Sequence, residues 1–289
     1  MDLSFTPISL DRQGEYQALL RVTPEISSDY SFVNLWAWAS EHGLTWAWSN
    51  GLVWIRQSKP TLVYWAPIGP WATIDWQQMM PRLLGLSFTR LPETLALLMA
   101  HAHPRARIRT TRDHWDYLYS VPELVALAGN RFHAKLNLLH QFHKGYLWRY
   151  QPLDQDLTEM VLEMQSQWCA WRNCESSAEL AAEDRVIAKV LRSAAAFPDL
   201  LGGTLLIDSQ VVAFTVAEPL RPDTLVIHFE KGMGAYKGIY QAINREFLAA
   251  QSGFAFVNRE QDLGNEGLRK AKLSYNPIAF IRKYELLWL

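Results

Sequence analysis

Toward its C-terminal end the chain runs FVNREQDLGNEGLRK, where a short apolar strand pattern opens onto Asn258, Arg259, Glu260 and Asp262. Polar groups gathered at the end of a strand lie at its mouth, where open α/β sheets bind their ligands. A carboxylate in such a place takes a proton from an attacking amine or hydroxyl, directly or through water, once burial raises its pKa toward neutrality. An arginine there holds a carboxylate or phosphate through paired hydrogen bonds, or supports an oxyanion as it forms. A turn stapled by ordinary salt bridges has the same composition, so residue types alone leave both readings open.

A second group precedes it in HFEKGMGAYKGIYQAI. A strand is expected to end near Lys231, carrying Ile227, His228, Phe229 and Glu230, and a helix to begin near Ile239. The connection supplies Gly232, Gly234, Ala235, Tyr236, Lys237 and Gly238. The first amides of a helix lack intrahelical acceptors and sit at the positive end of its dipole, and glycines let an anion approach closely. This is the best anion site in the chain, with a flexible glycine-bearing loop as the plain alternative. The matching connection in the first half, APIGPWATIDW, has two prolines and one glycine and offers fewer donors. Only the second half has a phosphate cradle to offer.

Basic and aromatic residues extend both groups. Arg269 and Lys272 stand three apart on a predicted helix and can share one anion, with Lys270 on another face and Tyr275 just beyond. In RFHAKLNLLHQFHK, Arg131, Lys135 and Lys144 accompany three histidines and no acid, and His133, Asn137 and His140 form one helical stripe. A metal would want a carboxylate or a further ligand, so no metal site is expected. Cys169 and Cys174 are the only cysteines, too few for a disulfide framework, and are expected to be free thiols.

These side chains need elements to hold them. DYSFVNLWAWASEHG reads as a buried helix stopped at Gly43, followed by strand patterns LTWAWS, LVWIRQ and TLVYWAP, with Asn50-Gly51 as a hairpin turn between the first two. Eight of the 13 tryptophans lie between Trp36 and Trp76, which predicts an aromatic core. Helices follow at DWQQMMPRLLG and PETLALLMAHAH, then an extended run to Ser120. The second half repeats the order: helices LTEMVLEMQSQWCAW and AELAAEDRVIAKVLRSAAAF, a hairpin turned at Ser209-Gln210, strand, helix, strand, helix and a final extended segment. The repetition is one of element order, without residue-level similarity.

The 289 residues are 49% hydrophobic and 20% charged, which excludes global disorder and favours two domains. A net charge of −1 provides no general field for polyanions, so nucleic-acid contact must be local and DNA is not an expected partner. No signal-like N-terminus and no stretch of spanning length is seen, so the reading is cytoplasmic.

The segments ELVALAGNRFHAKLNLLHQF, GIYQAINREF and NREQDLGNEGLRKAKLSYNP resemble the bacterial family related to the C-terminal domain of phosphatidylglycerol lysyltransferases, and the likeness covers essentially the whole chain. The element order is similar to the GCN5-related N-acetyltransferase (GNAT) fold. The resemblance implies an α/β (α+β) protein of two tandem GNAT-like domains, each a mixed, mostly antiparallel sheet flanked by helices, as in Fem-type aminoacyltransferases. The expected division is residues 1–120 without a phosphate loop, connecting helices at 121–145, and 146–289 carrying the active cleft near the domain junction.

The implied reaction is direct attack of an amine or hydroxyl on an activated acyl carbonyl. Acyl-coenzyme A is the first choice of donor and aminoacyl-tRNA the second; the acceptor is a small molecule or a lipid headgroup. Coenzyme A would lie along Ile227–Glu230, touching His228 and Phe229, with its pyrophosphate on Gly232–Gly238. Glu230 or Glu260 would be the base, Arg259 the anchor and Tyr275 the acid to a departing thiolate. His133, Lys135, Asn137, Asn258, Asp262, Arg269 and Lys272 would contact substrate. The competing expectation is a catalytically inactive binding module of the same fold, recognising a nucleotide-bearing or acyl ligand.

Overall fold

A computed structural model describes residues 3–289. The strands are β1 (Thr6–Pro7), β2 (Thr45–Ser49), β3 (Leu52–Gln57), β4 (Val63–Tyr64), β5 (Phe88–Pro92), β6 (Ala106–Thr110), β7 (Asp116–Ser120), β8 (Trp148–Pro152), β9 (Leu201–Ile207), β10 (Gln210–Arg221), β11 (Thr224–Gly232), β12 (Phe256–Asn258), β13 (Ala279–Ile281) and β14 (Lys283–Trp288). They form two mixed sheets, and the chain divides into two compact units, so the expected tandem α/β architecture is present.

The first unit holds the residues up to Asp116 together with Gln261–Glu266 and Phe280–Leu289. Its sheet runs β1-β2-β3-β4-β5-β14-β6. Asn50 and Gly51 turn the β2–β3 hairpin with φ of 55° and 71°, the double left-handed geometry that matches strand twist. Ser31 caps the helix Phe32–Ala37 by accepting from the Asn34 amide at 3.1 Å, and Gly43 ends the following turn at φ 61°. Trp46, Trp54 and Trp71 are fully buried with Tyr16, Tyr30 and Phe32, so the tryptophan-rich stretch is core. Beside them Lys283 is fully buried, its Nζ 2.6 Å from Asp116 Oδ1 and also paired with Asp29, whose other oxygen meets Arg90. Burial opposes charge on Asp29, but Lys283 and Arg90 outweigh it and hold the carboxyl well below its usual range.

The second unit comprises Tyr117–Glu260 and Gly267–Ala279. Its sheet runs β13-β7-β12-β11-β10-β9-β8. A cut at residues 120 and 146 gives the chain's last segment to the second half, whereas β14 pairs with both β5 and β6 in the first sheet. Conversely β7 pairs with β12, and the helices Val121–Ala126 and His133–Gly145 belong to the second unit. Strand partners far apart in sequence decide these memberships, and local element order carries no record of them.

Two further details differ from the sequence reading. Asp208 and Ser209 take the positive φ values at the β9–β10 turn, one residue earlier than expected. Cys169 and Cys174 form a disulfide and are not free thiols. Asn173, in the left-handed region at φ 54°, ends the helix Thr158–Arg172 and turns the chain back, bringing the two Cα atoms to 5.0 Å, within disulfide range. Among the described residues no helix is long and apolar enough to cross a membrane.

Candidate functional site

The site lies in the second unit, where β11 and β12 separate. The two strands pair in parallel only from Thr224–Val226 against Phe256–Asn258. Beyond Asn258 the chain stays bonded to β7, with the Arg259 amide donating to Tyr117 O at 2.9 Å and the Tyr117 amide to Glu260 O at 3.2 Å. β11 is irregular at His228: Val216 of β10 lies opposite Phe229 and Ala217 opposite Ile227, which leaves His228 as the extra residue and breaks the simple alternation between it and Glu230. His228 and Glu230 meet the residues following β12.

Arg259 Nη2 donates to Glu230 Oε1 at 2.8 Å, and Asn244 Nδ2 donates to Glu230 Oε2 at 2.8 Å. The Arg259 and Glu230 side chains are only 14% and 8% exposed. The guanidinium carbon lies 4.7 Å from the centre of the Tyr275 ring and 5.7 Å from that of Tyr119. Nη1 is buried and has no hydrogen-bond partner among the described residues. A buried donor without an acceptor is costly, and this one belongs to a side chain that also interacts with the Tyr275 hydroxyl.

Next to this pair, the buried ring of His228 is bonded at both nitrogens. Nδ1 is 2.9 Å from Glu260 Oε1 and Nε2 is 3.1 Å from Glu218 Oε1. Carboxylates accept only, so both ring nitrogens carry protons and the imidazole is charged. Burial opposes that charge, but the hydrogen bonds to Glu218 and Glu260 outweigh it and push the pKa up to about 9. Glu260 takes a left-handed backbone, φ 54°, and its amide donates to Asn258 Oδ1 at 2.8 Å. Both acids expected as bases are therefore tied to cations.

Tyr275 Oη accepts from Gln241 Nε2 at 2.9 Å, and burial raises the Tyr275 pKa, with the Arg259 charge pulling the other way. Lys135 Nζ sits 4.3 Å from the Tyr275 ring centre. Lys272 reaches the Arg259 carbonyl, and its own carbonyl accepts from Tyr119 Oη at 2.8 Å. Thus the structure brings His228, Glu230, Asn258, Arg259, Glu260, Tyr275, Lys135 and Lys272 together. Sequence reading missed Glu218, Asn244, Gln241 and Tyr119. Asn244 had a readable sign, being a polar residue among Ile239, Ala242, Ile243 and Phe247 on the buried face of its helix.

Other expected members are elsewhere. Asp262 is buried in the first unit, 3.1 Å from Arg112 Nη1. His133 and Asn137 are exposed on their helix, and Phe229 is buried opposite Val216 of β10. In the loop expected to cradle phosphate, four amides bond to protein acceptors. The Met233 amide donates to Val212 O at 2.9 Å, Tyr236 to Met233 O at 3.1 Å, Lys237 to Tyr146 Oη at 3.1 Å and Ile239 to Tyr236 O at 3.1 Å. Its glycines serve packing: a Cβ on Gly238 would come 2.1 Å from Leu138 O, one on Gly234 2.6 Å from the Trp171 ring, and one on Gly232 2.9 Å from Ile239. Glycine spacing records a close approach without saying what approaches. Among the described residues no group of three His, Cys, Asp or Glu side chains could hold a metal ion.

The sequence from residue 20 to 286 matches the family model described as "Phosphatidylglycerol lysyltransferase, C-terminal". A search of the curated proteins found no match. Among solved structures, a conserved protein of unknown function from Bacteroides thetaiotaomicron VPI-5482 is 27% identical, with a TM-score of 0.91 over 99% of this chain and 100% of that one. L-PGS from Bacillus licheniformis is 12% identical, with a TM-score of 0.65 over 95% and 91% of the two chains. FemX is 8% identical, with a TM-score of 0.60 over 98% and 97%, and it shares the tandem GNAT-like fold. With nearly all of its length matched, the chain belongs to the phosphatidylglycerol lysyltransferase C-terminal family, an aminoacyl-transfer family.

Proposed function

We propose that this protein is an aminoacyltransferase whose second unit passes an aminoacyl group from the ester of an aminoacyl-tRNA to an amine or hydroxyl acceptor. The observation that carries this reading is the buried, unpartnered Nη1 of Arg259, held in place by Glu230 beneath Tyr275. An ester carbonyl placed on that nitrogen would gain a charge-assisted hydrogen bond that strengthens as the oxygen becomes negative, which is what stabilises the transition state of acyl transfer. Glu230 orients Arg259 in this scheme. Glu260, the more exposed of the two acids at 25% of its side chain, is the candidate proton acceptor, positioned by the His228 cation. Tyr275 is the candidate proton donor to the leaving oxygen, and Lys135 and Lys272 are candidate substrate contacts. Membership of an aminoacyl-transfer family, together with the four loop amides already engaged by protein, favours aminoacyl-tRNA over acyl-coenzyme A. The acceptor class that the family description suggests is a lipid with a free glycerol hydroxyl.

The test is incubation of the purified protein with a panel of radiolabelled aminoacyl-tRNAs and phosphatidylglycerol vesicles, followed by lipid extraction. Label in the lipid phase from at least one donor is expected. If donors bind but none is consumed above spontaneous hydrolysis, with this lipid or with amine acceptors, the binding-module reading replaces this one.

A further inference from the structure

The transfer scheme gives Lys135 no reactive step, yet its surroundings are unusual for a lysine. Its ammonium is half-buried on the helix His133–Gly145, against the Tyr275 ring at 4.3 Å, and the Arg259 guanidinium lies 4.7 Å from the same ring. No carboxylate among the described residues forms an ion pair with it. Glu230, the nearby acid, is already engaged by Arg259 and Asn244, and Arg131, one turn back on the chain, is paired with Glu123. Two cations thus share one aromatic ring, and the carboxylate bound to one of them is not paired with the other. Partial burial and a neighbouring cation shift such a lysine toward its neutral form, and a neutral lysine is a strong nucleophile.

We propose that Lys135 is a self-acylation site: its ε-amine attacks an activated acyl ester, thioester or phosphate brought into the second unit and keeps the acyl group as an amide. The nitrogen lone pair forms the C–N bond, and the C–O or C–S bond to the leaving group breaks. The proton lost by nitrogen goes to the departing alkoxide, thiolate or phosphate. The product removes a positive charge from the site and fills the space beside Tyr275 and Arg259, so acylation shuts the site until the amide is cleaved.

The electrostatics agree in direction. Burial first, then the Arg259 charge, lowers the Lys135 pKa, against the opposing pull of the tyrosine face on the ammonium. The exposed Lys59, Lys144, Lys237 and Lys270 provide internal references.

The physiological form of the proposal rests on the transfer reading, since that is what brings an activated acyl group here, but the side chain's reactivity can be measured without it. The full chain is incubated with acetyl phosphate between about pH 6 and 9, and acetylation of each lysine is followed by peptide mass spectrometry. At about pH 7 Lys135 should react roughly five- to tenfold faster than each exposed reference, the gap narrowing as pH rises and the reference amines also lose their protons. In the doubly neutral variant Glu230→Gln, Arg259→Gln the advantage should shrink, because the repelling cation is gone while the two side chains remain hydrogen-bonding amides. Acetylation of Lys135 no faster than the references across the pH range would overturn the proposal. Preferential labelling by acetyl phosphate with no aminoacyl transfer to any acceptor would sustain the reactive lysine and refute the transfer reading instead.

Discussion

His228 stands between Glu218 and Glu260 with a carboxylate on each ring nitrogen, at 3.1 and 2.9 Å. The consequence is a charged imidazole at neutral pH and a Glu260 carboxylate fixed in direction. The folded pKa of about 9 lies above the ordinary value of 6.5, so the stabilisation is complete below the unfolded pKa and is lost as pH rises through 9. Two and a half units correspond to roughly 3 kcal/mol, shared among all three side chains. Denaturant titrations should therefore show stability falling between about pH 7 and pH 10. His228→Gln should be less stable at neutral pH and lack that alkaline step; an unchanged step would show that another group is responsible. The chemistry-bearing residue types at the mouth of β12 were legible in the sequence, because Arg259 and Glu260 follow an apolar strand. Their partners were not. Glu218 is 42 positions before Glu260 in the numbering, and only the antiparallel register of β10 against β11 brings it to His228.

At the level of elements, the loop from Gly232 to Gly238 has boundaries that the sequence carries and packing partners that it does not. Strand, loop and helix fall where the sequence puts them, with the helix starting at Ile239. The glycines, however, admit Leu138 O, Trp171 and Ile239, and the Met233, Tyr236, Lys237 and Ile239 amides bond to protein acceptors. Gly238 is the sharpest case, since its φ of 84° disfavours any side chain and a Cβ would sit 2.1 Å from a backbone oxygen. Gly238→Ala should therefore cost at least about 2 kcal/mol of stability by chemical denaturation, in line with strain at a left-handed position plus a backbone clash. A neutral effect would mean that the helix His133–Gly145 does not pack on the loop as described. The β2–β3 hairpin is the opposite case, readable from Asn50-Gly51 alone because the turn type demands those residues. The disulfide at Cys169 and Cys174 could not be read, since it depends on where Asn173 turns the chain.

For the molecule as a whole, the tandem α/β architecture follows from element order, but the membership of the sheets does not. β14 completes the first sheet and β7 joins the second, pairings that no periodicity encodes. The buried Lys283, at the start of β14, fastens that last strand through Asp116 and Asp29. Lys283→Ala should lower stability by about 3–5 kcal/mol, the usual cost of stranding buried carboxylates, and should do so less when Asp116 is also made Asn. Additive losses in the double variant would argue against the pair acting as a unit. Whether Arg259 stabilises the acyl transition state is decided by single-turnover aminoacyl transfer with the wild-type chain and with Glu230→Gln, Arg259→Gln. The neutral pair keeps two hydrogen-bonding amides in the same space. Its transfer rate should fall by roughly 100-fold or more while its melting temperature stays within a few degrees of wild type. A folded double variant that transfers at the wild-type rate would contradict the claim.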